Sequence, residues 1–478
     1  MYQYLIKSYR GGVSDENNKG IEGSFKFGYG LDIHDKDDVL KCKQTLATLE
    51  ESIIDGLILF FVGGSDGSTY MFADNGDIYA RSGDGAVNLA YTDTNGKIRG
   101  AAEWKLSDGN TYLFWATATS LARKLINGSP DLTWAGVEEN YKTTLESVDW
   151  HTMVIASGQL NIANGNYLAS ITYAESFNAQ QLNIVPGNII KTLEERDDYT
   201  ILGSIRKNES EEGHIWSWIT TATNWVQKKK IPIKGVNALI NTELMLLQGG
   251  DDGEIFFSDF INAIPLHGIP GGGQVNPGGV SIEDDRAIFG FYGGSYPGLW
   301  SYGRKRKNRP FTLNFDYRLA KTILGSTVSS IGAVAVINNE LLVSWGTTDG
   351  SISDYGLDGV SSTTKTAAIY EGLEFNSGTA EKKTFQKVKI IMDSLPSGTS
   401  FAVKYKADRT TTGGDSSAGA GFKYALVANS TATTFSLAGE TEAEFIINNN
   451  MKIIEIGAEL FPFVNDTPNI ILISVDFE

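Results

Sequence analysis

Short apolar runs, each bounded by glycine-rich turns, recur along most of the chain. Residues 57–62 (LILFFV) illustrate the pattern, because aliphatic and aromatic residues fill the run and a glycine stands on each side of it. Such a run predicts a buried strand. Apolar residues at helical spacing are scarce. The best helical candidate, residues 36–51, is polar and lacks a wide apolar stripe, so a strand is an alternative for part of it.

A repeated turn gives the length of a structural unit. The segment SDGSTYMF at residues 65–72 recurs as SDGNTYLF at residues 107–114, an offset of 42 residues. Four-stranded propeller blades repeat about every 40–45 residues. Apolar runs continue at this period, which predicts about seven blades, with six or eight as alternatives. Residues 369–375 are the candidate for the strand that closes the ring.

A second turn also recurs and is followed each time by an apolar residue that restarts a strand. Asparagine or aspartate before glycine supplies the positive φ angles of a tight hairpin. We therefore expect these turns to join strands within a blade. They are Asn75-Gly76, Asn95-Gly96, Asp252-Gly253 and Asp349-Gly350.

The composition changes near residue 377, and the pattern of residues 377–478 predicts antiparallel hairpins. Strands are predicted over residues 383–392, 401–406, 451–459 and 470–477, which fits a small sandwich or jelly roll. The sequence thus predicts three parts. Residues 1–49 are an arm or strand that joins the propeller, residues 50–376 form the propeller, and residues 377–478 form the C-terminal β-sandwich.

Composition and charge reduce the number of function classes that fit the sequence. The net charge of −17 is opposite to that of a typical nucleic-acid-binding protein. The N-terminus lacks the apolar run of a signal peptide, and no apolar run is long enough to cross a bilayer, so we expect assembly in a cytoplasm without membrane insertion. Cys42 is the only cysteine, and we expect it to be a buried apolar residue.

Catalytic, cofactor and metal motifs are not found. The four histidines lie far apart in sequence and lack zinc-ligand spacing. The acidic turn Asp251-Asp252-Gly253-Glu254 offers oxygen ligands for Ca²⁺, but it lacks the order of an EF-hand loop, and a solvated turn is the favoured interpretation. Most of the nine tryptophans fall in predicted strands, where core packing explains them.

The repeated Ser-Asp-Gly-x-Thr-Tyr turns resemble the Asp-box turns of sialidases, which stabilise the propeller and lie away from catalysis. Tyr70 and Tyr112 replace the usual tryptophan. The arginine cluster that a sialidase uses for the substrate carboxylate is not apparent. A propeller glycoside hydrolase, which needs only two carboxylates, is kept as an alternative.

Two basic runs interrupt the acidic background. Each is interpreted either as a solvated turn or as a contact with an acidic partner subunit or DNA. The candidate contact residues are Lys228, Lys229 and Lys230 in the first run, and Arg304, Lys305, Arg306, Lys307 and Arg309 in the second.

Residues 9–34 resemble the opening segment of virion proteins from tailed bacteriophages, and residues 451–460 and 469–477 resemble the closing hairpin of phage propeller proteins of the tail-nozzle, head-completion or minor tail type. The resemblance implies a non-enzymatic structural component of the virion tail, without cofactors, acting as a propeller platform. Implied partners are other tail or head-tail proteins, and the chain would form a homo-oligomeric ring or be present in several copies. Transient contact with viral DNA or a host receptor is also implied, and a receptor- or glycan-binding tail module is the leading alternative.

Overall fold

The computed structural model describes residues 2–16, 19–35, 38–126, 128–207, 212–304, 306–320, 328–349, 352–376 and 381–478. Within these residues the protein is all-β and contains no helix. Its internal contacts define two compact units. We call residues 47–299 and 319–359 the propeller unit, and residues 1–46, 300–318 and 360–478 the sandwich unit.

The strands, in chain order, begin with four near the N-terminus: β1 Tyr2–Ile6, β2 Gly12–Val13, β3 Ser24–Tyr29 and β4 Gln44–Glu50. The next strands are β5 Ile58–Gly63, β6 Ser68–Ala73, β7 Asp77–Ser82, β8 Val87–Thr92, β9 Gly100–Lys105, β10 Thr111–Ala116, β11 Leu121–Ile126, β12 Glu138–Lys142, β13 Met153–Ala156, β14 Gln159–Asn164, β15 Tyr167–Thr172 and β16 Phe177–Asn183. They are followed by β17 Asn188–Arg196, β18 Tyr199–Arg206, β19 Glu212–Trp218, β20 Gln227–Lys234, β21 Ala238–Asn241, β22 Met245–Gln248, β23 Glu254–Ser258, β24 Ala263–Gly268, β25 Val280–Glu283, β26 Arg286–Phe291, β27 Gly298–Gly303 and β28 Thr312–Tyr317. The last group is β29 Val328–Ile337, β30 Glu340–Asp349, β31 Ile352–Lys365, β32 Ala368–Gly372, β33 Phe375–Asn376, β34 Lys383–Met392, β35 Ser400–Ala407, β36 Phe422–Tyr424, β37 Leu426–Val427, β38 Thr434–Phe435, β39 Glu442–Met451, β40 Ile453–Phe461 and β41 Ile470–Phe477.

Seven four-stranded sheets in the described residues confirm the predicted propeller of about seven blades. Blades 1 to 6 take their strands in chain order, from β5–β8 to β25–β28, and blade 7 has the order β29-β30-β31-β4. The first strand of each blade contacts the first strand of the next, and β29 contacts β5. The first strands therefore form a closed ring.

The fourth strand of blade 7 comes from the N-terminus, which decides one open alternative and corrects one prediction. Residues 44–50, within the helical candidate 36–51, are strand β4 and complete this sheet. The predicted closing strand, residues 369–375, instead contributes β32, which pairs with β3 and β40 in the sandwich unit. Strand β4 is the outer strand of its blade and buries little surface. Its apolar pattern is therefore weak, which explains why residues 36–51 did not clearly predict a strand.

A hydrogen bond links each pair of neighbouring blades where the first strands begin. The donors and acceptors are buried or half-buried. Without these bonds, burying such polar groups would reduce the stability of the fold. From blade 1 to blade 7 and back, they are Ile98 N–H to Ala73 O (3.3 Å), His151 N–H to Arg99 O (2.8 Å), Thr152 Oγ1 to Lys191 O (3.3 Å), Lys191 Nζ to Asn237 Oδ1 (2.5 Å), Val275 N–H to Gln248 Oε1 (3.1 Å), Asn276 Nδ2 to Ile331 O (2.8 Å) and Ser344 Oγ to Ile58 O (2.6 Å).

Most tryptophans pack in the protein interior, as predicted. Five of them are fully buried: Trp115, Trp216, Trp218, Trp300 and Trp345. Between blades 1 and 2, the rings of Phe72, Trp115 and Trp134 pack in one cluster. Aromatic residues from neighbouring blades thus supply much of the apolar area that drives association of the sheets.

The two aspartate turns join the first and second strands of blades 1 and 2, so the 42-residue offset is one blade. Asp66 accepts hydrogen bonds from Ser68 N–H (3.0 Å) and the Tyr70 hydroxyl (2.6 Å). In the second turn, Asp108 accepts the equivalent bonds from Asn110 and Tyr112. Gly67 and Gly109 have φ of 83° and 85°, which explains the glycine in each turn.

The second set of predicted turns is only partly confirmed. Asn75-Gly76 joins β6 to β7, and Asp252-Gly253 lies between β22 and β23, as expected for hairpins within a blade. Asn95-Gly96 instead lies between β8 and β9, so it connects two blades, and that prediction was wrong. Gly350 of the fourth turn is outside the described residues.

The sandwich unit contains two further sheets. One has the order β1-β41-β34-β39-β37, and the other has the order β2-β3-β32-β40-β35-β36, with β33 and β38 paired to β40 and β35. Rings from the two sheets meet, since Phe401 lies 5.7 Å from Phe445 and Phe375 lies 6.5 Å from Phe385. N-terminal strands β1 to β3 belong to these sheets. The boundaries of the predicted three-part division stay a prediction.

Cys42 is buried in the sandwich unit, as expected. Its backbone N–H donates to Thr467 Oγ1 (2.9 Å), and burial raises the pKa of its thiol to about 11. A thiol held in this way stays protonated near neutral pH, which disfavours its use as a nucleophile.

Candidate functional site

The first basic run lies on β20, the fourth strand of blade 4. Lys228 and Lys230 are exposed and Lys229 is half-buried. The Lys228 ammonium stands 4.5 Å from the centre of the Trp216 ring, and Lys230 forms a 2.6 Å ion pair with Glu212. Lys229 Nζ donates to the carbonyl oxygen of Ile261 in blade 5.

The charges around this run create a positive local field. Burial lowers the pKa of His214 on the adjacent strand, and the nearby cations Lys228, Arg206 and Lys230 lower it further, against the effect of Glu212. Burial and the Arg206 charge likewise lower the pKa of Lys228. Among the described residues Glu212 does not neutralise this cluster of cations, so an acidic group brought to this strand would be attracted.

Exposed apolar side chains border the lysines. Trp225, which contacts Trp216 edge to face at 5.3 Å, is 36% exposed, and the next residue, Val226, is 46% exposed. Across the contact made by Lys229, Ile261 of blade 5 is 76% exposed. We define the blade-4 edge as residues Trp225, Val226, Lys228, Lys229, Lys230 and Ile261. Its combination of apolar and basic groups suits a binding surface better than a purely solvated strand.

A cleft of about 310 Å³ adjoins this edge between blades 4 and 5. Tyr199, Val226 and Phe260 line it, together with the charged residues Arg196 and Asp197. Phe260 has φ of 68°, a conformation that is strained for a bulky residue. Ser258 Oγ accepts the Phe260 N–H (3.2 Å) and helps to hold this conformation. Backbone strain of this kind is concentrated at functional sites.

The second basic run joins β27 to β28, the third and fourth strands of blade 6, and its residues are grouped with the sandwich unit by their internal contacts. The Arg304 guanidinium lies 4.7 Å from the Phe311 ring centre and donates to the Lys307 carbonyl oxygen (2.7 Å). Arg306 and Lys307 are exposed, whereas Arg304 and Arg309 are half-buried. Lys305 lies outside the described residues. The two runs thus belong to different units.

A cavity of about 280 Å³ lies inside the ring of first strands. Its lining includes Phe60, Ala101, Met153, Leu193 and Val334 from five blades, but the wall exposes more polar than apolar surface. Thr152 and Thr192 add hydroxyl groups. We call this cavity the axial channel.

Three cationic residues that were not singled out in the sequence lie near the starts of β9 and β17, which are first strands of their blades. Lys191 lies at a β-bulge of β17, and burial lowers its pKa to about 8, although the charge of Asp149 opposes the shift. Lys97 lies 5.6 Å from the Trp150 ring centre, and Arg99 has a buried Nε without a hydrogen-bond partner in the described residues. No motif marks single cations of this kind in a sequence.

The described residues contain neither a cluster of metal ligands nor a membrane-spanning helix. No group of three or more His, Cys, Asp or Glu side chains is arranged to hold a metal ion there. In the same part of the chain, no helix has the length and apolarity needed to cross a membrane.

Several solved structures are distantly similar to this chain. The extracellular domain of BT4673 from B. thetaiotaomicron aligns at a TM-score of 0.46 with 14% identity, covering 72% of this chain and 42% of that one. Streptogramin B lyase (TM-score 0.44, 10% identity, 66% of this chain and 97% of that one) and the WD40 propeller domain of Doa1 (0.43, 11%, 66% and 96%) are similarly distant. No protein-family model and no curated protein sequence matches the chain. At these TM-scores the likenesses carry no argument, and the propeller fold rests on the seven four-stranded sheets.

Proposed function

We propose that the protein is a non-enzymatic structural component of a bacteriophage tail that docks a neighbouring protein on the blade-4 edge. The observation that carries this proposal is the side-by-side exposure of Trp225, Val226 and Ile261 with three successive lysines. Apolar area supplies affinity at a protein interface, and charge supplies orientation and speed of association.

The occupant that fits this edge is an acidic segment with one or two apolar residues from another virion protein. Its carboxylates would lie against Lys228 and Lys230, and its apolar side chains would cover Trp225 and Val226. The cleft lined by Tyr199 and Phe260 would accept a further apolar side chain. A duplex of DNA fits less well, because the exposed apolar groups would lie against phosphates.

Placement in a tail rests on the likeness of residues 9–34, 451–460 and 469–477 to phage proteins. The last two segments were expected to form a closing hairpin, which was wrong, because β40 and β41 lie in different sheets. The setting implies several copies arranged with the tail symmetry, with the propeller as a rigid platform. The second basic run, around Arg306 and Lys307, would then be available for a further partner or for passing DNA.

Cross-linking of intact particles of the encoding phage tests this proposal. We expect a lysine-reactive reagent to link Lys229 or Lys230 to a different virion protein. Mass spectrometry of the cross-linked peptides would identify that protein. The variant K228E/K229E should lower incorporation of the chain into particles at least fivefold. A matched variant on blade 2, K105E/K142E, should not. Absence of the chain from particles, or equal incorporation of both variants, would contradict the proposal.

A receptor- or glycan-binding tail module is a second candidate, favoured by exposed aromatic residues beside the cleft. Tyr199 lines the cleft and Trp225 precedes Val226 of its wall, and both are 36% exposed. Such rings can stack on sugars. Saturable binding of the purified protein to host cells or surface polysaccharide, lost in W225A, would favour this candidate. Release of reducing sugar by the purified protein would instead support a glycoside hydrolase.

A further inference from the structure

We propose that the edge of strand β1 in the sandwich unit binds an extended segment of another polypeptide chain, which adds to the sheet as a further strand. This inference concerns a different surface from the blade-4 edge and does not depend on the proposed function. It rests on the unprotected edge of β1, on a slot beside that edge and on a buried hydroxyl group in the slot.

Strand β1 lies at the edge of its sheet. Among the described residues it pairs with β41 alone, in a continuous register from Tyr2 opposite Phe477 to Ile6 opposite Ile473. In an edge strand, alternate backbone N–H and C=O groups point away from the sheet and have no partner within it. The five residues of β1 extend about 17 Å, which is long enough for several backbone hydrogen bonds to an added strand.

The sequence of β1 lacks the features that protect an edge from pairing with another chain. Residues 2–6 (YQYLI) contain no charged residue and no proline, and their pairing with β41 has no bulge. Other edge strands are protected, since β20 carries lysines and a proline, β24 carries a proline, and the pairing of β8 with β7 has a bulge. Tyr2 is 67% exposed and Leu5 is 47% exposed. An uncharged edge of this kind favours the addition of a strand.

A slot of about 210 Å³ runs along this edge within the sandwich unit. Its first wall is formed by the successive residues 4–8, and its second wall includes residues 21–24, Tyr370 and Leu373. A cavity on one face of a strand would be lined by alternate residues, so lining by successive residues places the slot at the edge of β1. Because the second wall faces β1, the slot admits a single extended chain more readily than the edge of a second folded copy.

A hydroxyl group buried in the slot has no partner within the described protein. Ser8 lines the slot and is 6% exposed, and its Oγ atom has no hydrogen-bond partner in the described residues. Burying a hydroxyl group without a hydrogen bond reduces stability. A docked strand carries a backbone N–H or C=O group at every position and can supply the missing partner.

The charges and apolar groups of the slot indicate the kind of segment that fits. Lys7 is exposed, lines the slot and forms no ion pair in the described residues. On the opposite wall, Glu22 already pairs with Arg10 at 2.9 Å. An acidic residue at one end of the segment would therefore face Lys7. Leu5 and Ile21 offer contacts to valine or threonine, so the occupant is an extended, β-branched segment with one carboxylate.

Binding of synthetic strands to the purified full chain tests the inference. The probes are the capped peptides DTVTVT and TVTVTD, which place the carboxylate near Lys7 in an antiparallel or a parallel arrangement. We expect one of them to bind with a dissociation constant below about 1 mM. It should slow hydrogen exchange of the amides of residues 2–8 by about tenfold. N-methylation of alternate residues, in one of its two patterns, should abolish binding although every side chain is kept.

Matched variants locate the docking site. Leu5→Lys places a charge on the edge and should weaken binding about tenfold. Leu89→Lys, at a similarly exposed position (48%) on the edge strand β8, should leave binding unchanged. Ser8→Ala should weaken binding about threefold without lowering the melting temperature, because its hydroxyl has no partner in the free protein. Ser301→Ala removes another buried hydroxyl without a partner in the described residues and should not change binding.

The outcomes separate the proposed occupant from the alternatives. Binding that is lost in L5K, retained in L89K and accompanied by protection of residues 2–8 would support the inference. Failure of both peptides to bind at about 1 mM, or equal binding by L5K and L89K, would overturn it. Dimerisation of the wild type that L5K abolishes would also overturn it, because the edge would then belong to an interface with a second copy.

Discussion

Nε1 of Trp345 donates a 2.7 Å hydrogen bond to Oδ1 of Asp358, and both residues are fully buried in the propeller unit. The other carboxylate oxygen of Asp358 accepts the Ala320 N–H at 2.7 Å. Burial raises the pKa of this carboxyl, and the hydrogen bonds act against the shift. A similar pair occurs in blades 1 and 2, where Trp115 Nε1 donates to Asp93 Oδ2 at 2.6 Å. Both pairs place a buried carboxylate against an indole.

Removing the indole donor should destabilise the propeller. Trp345→Phe leaves a buried acceptor of Asp358 without its partner, which costs about 1–3 kcal/mol in the free energy of unfolding. W115F should show a loss of similar size. Chemical denaturation measures both values. W104F removes an indole that forms no hydrogen bond to a carboxylate, so it should lower the free energy of unfolding by less. If W104F lowers it as much as the other two variants, loss of packing alone would explain the effect.

The two aspartate turns offer a matched comparison within one chain. Tyr70 is buried and Asp66 is half-buried, whereas Asp108 is exposed. We expect D66A to cost roughly 1–3 kcal/mol of stability, because a buried hydroxyl loses its acceptor. D108A should cost less than about 1 kcal/mol, since water replaces the lost bonds. Thermal unfolding measures the stability of both variants. A larger loss in D108A would show that burial does not determine how much the hydrogen bonds of this turn stabilise the protein.

Glu194 on β17 should make the propeller less stable as pH rises. Burial raises the pKa of its carboxyl to about 7, although the Glu195 N–H donates to it. Between the unfolded value near 4.5 and about 7, the folded state binds more protons than the unfolded state, so stability falls as pH increases through this window. Urea midpoints at pH 5 and pH 7.5 measure the change.

The variant E194Q should lose this part of the pH dependence. Its midpoint should differ less between the two pH values than that of the wild type. E195Q, a change at the exposed neighbour, serves as the control and should retain the wild-type slope. Identical slopes for the wild type and E194Q would rule out Glu194 as the source.

Much of the propeller was predictable because each blade is a local unit. The strand–turn–strand pattern around Gly67 and Gly109 shows its period in the sequence, and the buried tryptophans follow the apolar runs. A strand from residues 1–49 that joins the propeller was one of the expectations, but its partner strand was not predictable in this way. Residues 44–50 pair with β31, more than 300 residues away in sequence, and their local pattern contains no signal of that partner.

The candidate sites were predictable only in part. The lysines at 228–230 were evident as a charge run, but Ile261 and Phe260 join them only through packing of blade 5 beside blade 4. The half-buried environment of Lys191 was not predictable, since it comes from the β-bulge of β17 and from the contact with Asn237. A lone lysine in an apolar strand looks the same in sequence whether it is exposed or half-buried.

A cryo-EM map of the intact particle would show whether the blade-4 edge docks another protein. We predict several copies of this propeller at the tail, with density from another virion protein covering Trp225, Val226 and Lys228 on that edge. A particle that lacks the chain, or a map in which this edge faces solvent in every copy, would contradict it.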